Sequence, residues 1–312
     1  MKAIVVEHRG EPGSLKEMER PAPAAGEILV RVTAAGVNPI DWKARDRGDM
    51  PLPFVLGRDF AGVVSAFGEG VTKYREGERI FGIARAHGSY AEYTIVSESD
   101  RMGPFAKIAD GVGDADAAAL PTAGLTALAA LDSLDVRAGT TLLVLGATGG
   151  VGSFAVQIAR DRDAHIIGTA RSTNAEFARS LGVDEFVAFD VNDVAETVGA
   201  AHPSGVDAVL DLVDDEDAIK AMAPLLRPKG KIVSTIGAAD EKWFSERQIT
   251  AENLYVADSP RWSHAGLRTL AEMVDGQRLR VNIAAEYPLG EALAALERSK
   301  SGVNGKIVIT VT

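Results

Sequence analysis

A cluster of glycines near the middle of the chain has the spacing of a phosphate-binding turn. Residues 142–160 read LLVLGATGGVGSFAVQIAR, an apolar run followed by the glycines and then by an amphipathic run. Within it, Ala147-x-Gly149-x-x-Gly152 is the dinucleotide-binding fingerprint with alanine in place of the first glycine. Small residues permit a tight turn there, Gly149 lets the backbone approach a pyrophosphate, and Gly152 lets the helix pack closely on the sheet.

The N–H groups at the start of the helix would then face the phosphates of the cofactor. The alternative interpretation is a glycine-rich turn between a strand and a helix that binds nothing. Because an apolar run precedes the turn and an amphipathic run follows it, we predict a dinucleotide site. Its predicted residues are Gly146, Ala147, Thr148, Gly149, Gly150, Val151 and Gly152.

The residues after the next apolar run indicate which dinucleotide binds. That run, HIIGTA, ends about 20 residues past the turn, where an NAD site usually carries an acidic residue for the ribose hydroxyls. This chain has Arg171-Ser172-Thr173 there. An arginine and hydroxyls suit a 2′-phosphate, so we predict NADPH held by Arg171 and Ser172. The alternative is a solvated Arg171 and NADH. Gly237, after the run KIVSTI, is expected beside the nicotinamide, the alternative being a plain strand-ending glycine.

The elements that position these residues change in character along the chain. The first hundred or so residues contain short β-like runs, such as EILVRVTAAGV and ERIFGI, which predict a barrel-like β domain. From about residue 120, apolar runs alternate with helical stretches, which is typical of a doubly wound parallel sheet. The five apolar runs are TLLVLG, HIIGTA, EFVAFD, DAVLDLV and KIVSTI. The predicted fold class is therefore α/β.

Two later features complete the predicted organisation. Residues 104–116 are predicted to be a connector. The run GKIVITV comes late in the chain, after two helix-like segments, and we expect it to return to the first β domain. The predicted domains are a β domain of residues 1–120 and 261–312 and a dinucleotide-binding domain of residues 121–260.

Composition excludes several classes of function. The 312 residues include 33 basic and 44 acidic side chains, a net charge of −11. This charge argues against a broad basic surface for nucleic acid or an anionic membrane. There is no cysteine, which excludes disulfides, a catalytic thiol and thiolate-bound zinc. The N-terminal residues become charged within seven positions, unlike a secretory signal, and no apolar run is long enough to span a bilayer. We expect a cytoplasmic enzyme.

The histidines and acidic residues do not indicate a metal centre. The five histidines, at positions 8, 87, 165, 202 and 264, lack metal-ligand spacing, and no metal site is predicted. His87 is expected in a surface loop, the alternative being a contact with substrate. The acidic run of residues 214–217 precedes a helical segment, so we expect it to cap that helix.

Four stretches in one order resemble a known family. They are AAGVNPIDWKARDRG, PFVLGRDFAGVVSAFGEGVTKYREGERIFG, LPTAGLTALAAL and the glycine turn. Together they resemble the zinc-free quinone oxidoreductase branch of the medium-chain dehydrogenase/reductases, over nearly the whole chain. The resemblance implies a GroES-like β-barrel domain interrupted by a Rossmann domain, with the active site in the cleft between them. It also explains the late strand.

The resemblance has consequences for the reaction. Zinc-dependent relatives carry Gly-His-Glu where this chain has Gly57-Arg58-Asp59. Without a zinc ion to polarise an alcohol or aldehyde oxygen, simple alcohol oxidation is disfavoured. A quinone or an α,β-unsaturated carbonyl can take a hydride with hydrogen bonds alone, so we expect such a substrate.

Individual residues take their predicted roles from the same resemblance. Asn38 matches the family's active-site asparagine and Thr126 a threonine beside the nicotinamide, so both are predicted as catalytic. The alternatives are an Asn-Pro turn for Asn38 and a helix hydroxyl bonded to its own turn for Thr126. Trp42 is expected to pack and Arg58 to pair with Asp59 or another acid, the alternative for both being a place in the pocket lining. Residues 304–306 are expected to reach the cleft.

The sequence rejects one other enzyme class and leaves a function without turnover open. A short-chain dehydrogenase is rejected because no tyrosine has a lysine four positions on and the glycine turn begins only at residue 146. A redox sensor, or a crystallin-like protein that binds NADPH without turnover, stays open, whereas the acidic charge argues against an RNA-associated relative. Residues 248–257 are a candidate edge strand, through which we expect a homodimer.

Overall fold

The computed structural model describes residues 1–48, 50–84 and 88–312. Its strands are β1 (Lys2–Val6), β2 (Ser14–Glu17), β3 (Glu27–Val37), β4 (Phe54–Val55), β5 (Asp59–Phe67), β6 (Arg79–Ile83), β7 (Tyr93–Ser97), β8 (Phe105–Lys107), β9 (Thr141–Leu145), β10 (His165–Ala170), β11 (Glu185–Ala188), β12 (Val206–Asp211), β13 (Leu226–Ser234), β14 (Thr250–Asn253), β15 (Ile283–Pro288) and β16 (Lys306–Thr310). Its α-helices are α1 (Pro39–Arg47), α2 (Asp114–Ala119), α3 (Pro121–Ser133), α4 (Gly150–Asp161), α5 (Ala175–Leu181), α6 (Val194–Ala201), α7 (Glu216–Ala221), α8 (Glu241–Ser245), α9 (His264–Asp275) and α10 (Ala292–Lys300).

The first compact unit comprises residues 1–125, 262–277 and 281–312. Its larger sheet has the order β15-β16-β3-β5-β6-β8, with β7 also paired to β3, and β1 lies between β2 and β4 in a smaller sheet. Inward-facing side chains such as Ile28, Val30 and Phe60 build one apolar core. Strand β16 pairs antiparallel with β3, which confirms that the late strand returns to the first β domain.

The prediction for one segment of this unit was wrong. Residues 104–116 are not merely a connector, because they contain β8 and the start of α2. Strand β8 pairs antiparallel with β6 and buries Phe105 and Ala106. A run of only three residues is too short to show strand periodicity in a sequence.

The second compact unit comprises residues 126–261 and 278–280. Its six strands follow the order β11-β10-β9-β12-β13-β14, and every neighbouring pair is parallel. This is the doubly wound order in which ligands bind beyond the carboxyl ends of the strands. All five predicted strands are present, and β13 begins five residues earlier than its apolar run. The structure thus confirms the α/β fold class with a Rossmann sheet.

Strand β14 lies at one end of the six-stranded sheet, so the segment predicted as an edge strand does occupy an edge. Among the described residues, no helix is both long enough and apolar enough to cross a membrane.

Candidate functional site

The glycine turn lies between β9 and α4, and its glycines have different structural roles. Gly146 has φ +88°, a left-handed conformation that favours glycine. A Cβ atom on Gly152 would lie 2.2 Å from the carbonyl oxygen of Gly146, so the turn itself requires glycine there. Gly149 has φ −72°, and the nearest atom to a Cβ placed on it is 3.5 Å away. A Cβ on Gly149 would therefore be in ordinary van der Waals contact and would not clash.

The start of α4 can receive an anion. Gly149 is the N-cap residue, and no side chain caps the helix. The first N–H groups of a helix lack acceptors within the helix and carry partial positive charge. All seven predicted residues of the turn lie in or beside this one loop, where Ala147 and Thr148 are buried and Gly150 and Val151 are half-buried. The loop can hold a pyrophosphate.

Next to the turn, the loop after β10 presents a cation and hydrogen-bond donors. Arg171 is exposed, with its guanidinium carbon 5.7 Å from the ring centroid of Phe189. The backbone N–H of Ser172 donates to Asp190 Oδ1 at 2.7 Å, and its hydroxyl donates to Oδ2 at 2.9 Å. These hydrogen bonds, the backbone one first, lower the pKa of Asp190. A carboxylate therefore holds the donors that were predicted to bind a 2′-phosphate.

Sequence reasoning missed Asp190, although a signal for it was present. The apolar run EFVAFD ends in this aspartate, and its strand β11 neighbours β10 in the sheet. Because the carboxyl ends of parallel strands lie at one edge, an acid there will lie close to the loop after β10.

We predict that Asp190→Asn raises the preference for NADPH over NADH about fivefold. Water screens the repulsion between the exposed Asp190 carboxylate and a 2′-phosphate, so a modest factor of this size is expected. The measurement is kcat/KM for the two cofactors. Asp163→Asn, at an exposed aspartate with φ +57° that asparagine tolerates, is the control. If Asp190→Asn had the wild-type ratio of kcat/KM for NADPH to that for NADH, Asp190 would have no role in the choice of cofactor.

The carboxyl ends of β12 and β13 lie on the same side of the sheet as the glycine turn and the loop after β10. Gly237 is exposed with φ +84°, and no atom lies within 4 Å of a Cβ placed on it. Asp211 is buried and accepts the hydroxyl of Ser234 at 2.6 Å. Asp215 accepts the N–H of Ala218 at 2.9 Å as the N-cap of α7, which confirms that the acidic run caps a helix.

A second group of polar residues lies inside the first unit. Asn38 is only 2% exposed. Its Nδ2 donates to Asp59 Oδ2 at 2.9 Å, and its Oδ1 accepts from Lys306 Nζ at 2.5 Å. Thr122 donates to Asp59 through its backbone N–H at 2.9 Å and its hydroxyl at 2.6 Å. Burial raises the pKa of Asp59 and lowers the pKa of Lys306, while the attraction between the two opposes both shifts.

Asp41 extends this buried group. Its Oδ2 accepts the backbone N–H of Asn38 at 2.8 Å and the hydroxyl of Tyr90 at 2.9 Å, whereas its buried Oδ1 has no hydrogen-bond partner among the described residues. Burial raises the pKa of Asp41 to about 7, and the charge on Asp59 adds to the increase. The spacing Asn38-Pro-x-Asp41 is that of a helix start with a capping acid, a signal the sequence analysis did not use.

Asp41 should make the stability of the protein depend on pH. Because its pKa is about 7 when folded and 3.8 in an ordinary environment, the folded state binds the extra proton between these values. The free energy of unfolding should therefore fall as pH rises from 5 to 7, with a contribution of up to about 1.4 kcal/mol per unit from this group. Asp41→Asn removes that contribution.

Urea unfolding at pH 5, 6 and 7 measures this difference in slope. Asp110→Asn, at an exposed aspartate of the same unit, should keep the wild-type slope. If Asp41→Asn and the wild-type protein had equal slopes, Asp41 would not take up its proton over this range.

The other predicted site residues have different outcomes. Thr126 is buried on α3. Trp42 packs against the core of the first unit, as predicted. Asp59 accepts from Asn38 and Thr122, and the ion pairs among the described residues include none between Arg58 and Asp59, while the charge of Arg58 acts on another acid, Asp41. Arg58 instead lies over the ring of Trp262, 6.0 Å from its centroid. His87 lies outside the described residues.

A zinc ion does not fit the position of Asp59. Both of its oxygens already accept hydrogen bonds from protein donors, and the chain has no cysteine. Within residues 1–48, 50–84 and 88–312, the one trio of side chains suited to a metal is His165, Glu185 and His202, in the second unit.

Comparisons with known proteins agree with the two units. Family models described as "Alcohol dehydrogenase GroES-like domain" and "Zinc-binding dehydrogenase" match residues 24–106 and 150–276. A chloroplast envelope quinone oxidoreductase homolog of Arabidopsis thaliana is 31% identical, over 93% of this chain and 91% of that protein. The quinone oxidoreductase structure from Coxiella burnetii has a TM-score of 0.89 and 31% identity, covering 100% of this chain and 99% of that one. The structure of mycobacterial Rv1454c complexed with NADPH has a TM-score of 0.86 and 26% sequence identity, and the match covers 99% of each chain.

Proposed function

Because the chain belongs to the quinone oxidoreductase branch of the medium-chain dehydrogenase/reductases, we propose that it transfers a hydride from NADPH to a quinone or an α,β-unsaturated carbonyl. As an oxidoreductase of this type it acts on a small molecule. The observation that carries the proposal is the open, uncapped glycine turn with Arg171 and Ser172 on the neighbouring loop. That arrangement suits a dinucleotide with an additional phosphate.

The cofactor assignment rests on charge and on one relative. Arg171 offers a planar cation for a 2′-phosphate. The hydroxyl and N–H of Ser172 lie on the same loop and would have to leave Asp190 to bind that phosphate. The mycobacterial relative described above is complexed with NADPH. The negative charge of Asp190 beside Ser172 would repel a 2′-phosphate. We therefore propose that the protein prefers NADPH and that Asp190 weakens this preference. Gly237 is proposed to adjoin the nicotinamide from the carboxyl end of β13.

The proposed reaction depends on positioning. NADPH, when bound, supplies the hydride. Asn38 keeps one N–H of its side-chain amide beyond the bond to Asp59, and we assign it to the cofactor or to the substrate oxygen. Asp59 and Lys306 fix the orientation of that amide from both sides, so its remaining donor needs no reorganisation during the reaction. Thr126 is proposed to adjoin the nicotinamide.

Zinc has no part in the proposed reaction. The oxygens of Asp59 bond to Asn38 and Thr122, and thiolate ligands are absent from the sequence. A conjugated acceptor suits such a site, because its oxygen can take up charge with hydrogen bonds alone.

The test is consumption of NADPH with a naphthoquinone, followed by loss of the nicotinamide absorbance. Turnover by the wild-type chain, and none by Gly149→Val prepared in parallel, would support the proposal. The second candidate function is an NADPH-binding redox sensor, which would hold the cofactor at the same turn without turnover. Tight NADPH binding without oxidation by quinones or enones would favour the sensor.

We propose that the protein is a homodimer formed through β14. This strand ends the six-stranded sheet, and Thr250 and Asn253 on it are exposed. An edge strand offers backbone N–H and C=O groups that a second copy can pair with, although the N–H of Asn253 already donates to Glu241 Oε1 at 3.0 Å. Light scattering should give twice the chain mass of 32.8 kDa; a mass of one chain would contradict the dimer.

A further inference from the structure

A group of histidine and carboxylate side chains lies at the opposite edge of the six-stranded sheet from the glycine turn. His165 is the first residue of β10 and Glu185 the first residue of β11. His202 directly follows α6. Because β10 and β11 are parallel neighbours, their amino ends meet at one edge, and the end of α6 adds the third side chain there.

The three side chains already contact one another. The Nε2 atom of His165 lies 2.5 Å from Glu185 Oε1, and the Nε2 atom of His202 lies 3.1 Å from Glu185 Oε2. The two imidazole rings have centroids 6.1 Å apart. One potential ligand atom from each residue lies within 4.8 Å of the other two. All three residues are half-buried, so an ion from solvent can reach them without opening the fold.

This donor set matches a particular class of ion. Two imidazole nitrogens and one carboxylate oxygen are ligands for zinc and neighbouring transition metals, whereas calcium and magnesium prefer oxygen alone. Asp184 supports the arrangement, since its Oδ2 lies 3.6 Å from His165 Nδ1 and accepts the N–H of Ile166 at 2.8 Å. A carboxylate behind a metal-binding histidine fixes the orientation of the ring.

We propose that His165, Glu185 and His202 bind one transition-metal dication, with Zn²⁺ as the representative ion. The ion links the edge strand β11 to β10 and to the end of α6, so it stabilises the second unit. His165 lies five residues before the last residue of β10, which places this site about 17 Å from the carboxyl end of the strand, at about 3.3 Å per residue. The site is therefore separate from hydride transfer and independent of the proposed function.

The test is calorimetric titration of ZnCl₂ into chelator-treated, full-length protein. We expect one ion per chain with a dissociation constant on the order of 1 µM. Glu185→Gln and His202→Asn should each weaken binding by about tenfold or more. His8→Asn, at an exposed histidine of the first unit, is the matched control and should bind as the wild type does.

Thermal unfolding distinguishes the loss of a zinc ligand from a general loss of folding in a variant. Saturating Zn²⁺ should raise the Tm of the wild type by about 3 °C, and that of His202→Asn by much less, while both unfold alike in the presence of chelator. Oxidation of NADPH should be the same with and without Zn²⁺. No zinc binding by the wild type would overturn the proposal. So would binding by Glu185→Gln and His202→Asn that is as tight as that of the wild type.

Discussion

Replacing Gly149 with valine is expected to weaken NADPH binding by more than about a hundredfold, because the side chain would occupy the place of the pyrophosphate. Hydrogen bonds to a charged group contribute about 1.5–3 kcal/mol each, so losing two accounts for this factor. The fold itself accepts the change, since Gly149 has φ −72° and a Cβ on it would meet no atom closer than 3.5 Å. Fluorescence titration of NADPH measures the loss.

Gly113→Val provides the matched control. Gly113 is also an N-cap residue without a side-chain cap, with φ −72° and open space at its Cβ position, but it lies on α2 in the other unit. Both variants should lose about 1 kcal/mol of stability and a few degrees of Tm, and only Gly149→Val should lose NADPH. Normal binding by Gly149→Val would refute the turn as the cofactor site. Gly152→Val is unsuitable, because its Cβ would clash with Gly146.

Arg171→Ala is expected to lower kcat/KM for NADPH about thirtyfold and that for NADH less than about threefold. The difference arises because only NADPH carries the 2′-phosphate, and one charge-assisted hydrogen bond to it contributes about 2 kcal/mol. Steady-state rates with a single quinone and varied cofactor measure both values. Equal losses for the two cofactors would mean that Arg171 binds a group that NADPH and NADH share, and not the 2′-phosphate.

Arg179→Ala is the control for this comparison. Arg179 lies on α5 in the same unit, with its guanidinium carbon 5.9 Å from the ring of Phe186, much as Arg171 lies over Phe189. The substitution removes the same charge and a similar ring contact away from the predicted phosphate site. The ratio of kcat/KM for NADPH to that for NADH should stay at the wild-type value.

Sequence patterns predicted the second unit closely because its signals are local. Each buried strand reads as one apolar run, and the glycine turn occupies seven consecutive residues after β9. The edge position of β14 was also predicted. Strand β8 was missed because its three residues, Phe105–Lys107, carry too little periodicity to register.

The polar groups were harder to predict because they join distant parts of the chain. The bond from Lys306 to Asn38 spans 268 positions, and that from Thr122 to Asp59 spans 63. Asp190 reaches Ser172 only because β10 and β11 are neighbours in the sheet. The histidines showed no metal spacing for the same reason, since His165 and His202 meet at Glu185 through the fold. Strand order has to be known before such groups can be found.

The place of β16 in its sheet has a consequence for the order in which the chain can fold during synthesis. Strand β16 lies between β15 and β3, and Lys306 at its start enters the buried polar group. The first unit therefore stays incomplete until residues 306–310 leave the ribosome, while residues 126–261 are available for the Rossmann sheet earlier. Domains usually fold from the N-terminus onwards during translation. In this protein the middle of the chain can fold first, and the N-terminal strands, with their apolar inner faces, wait for the last strand.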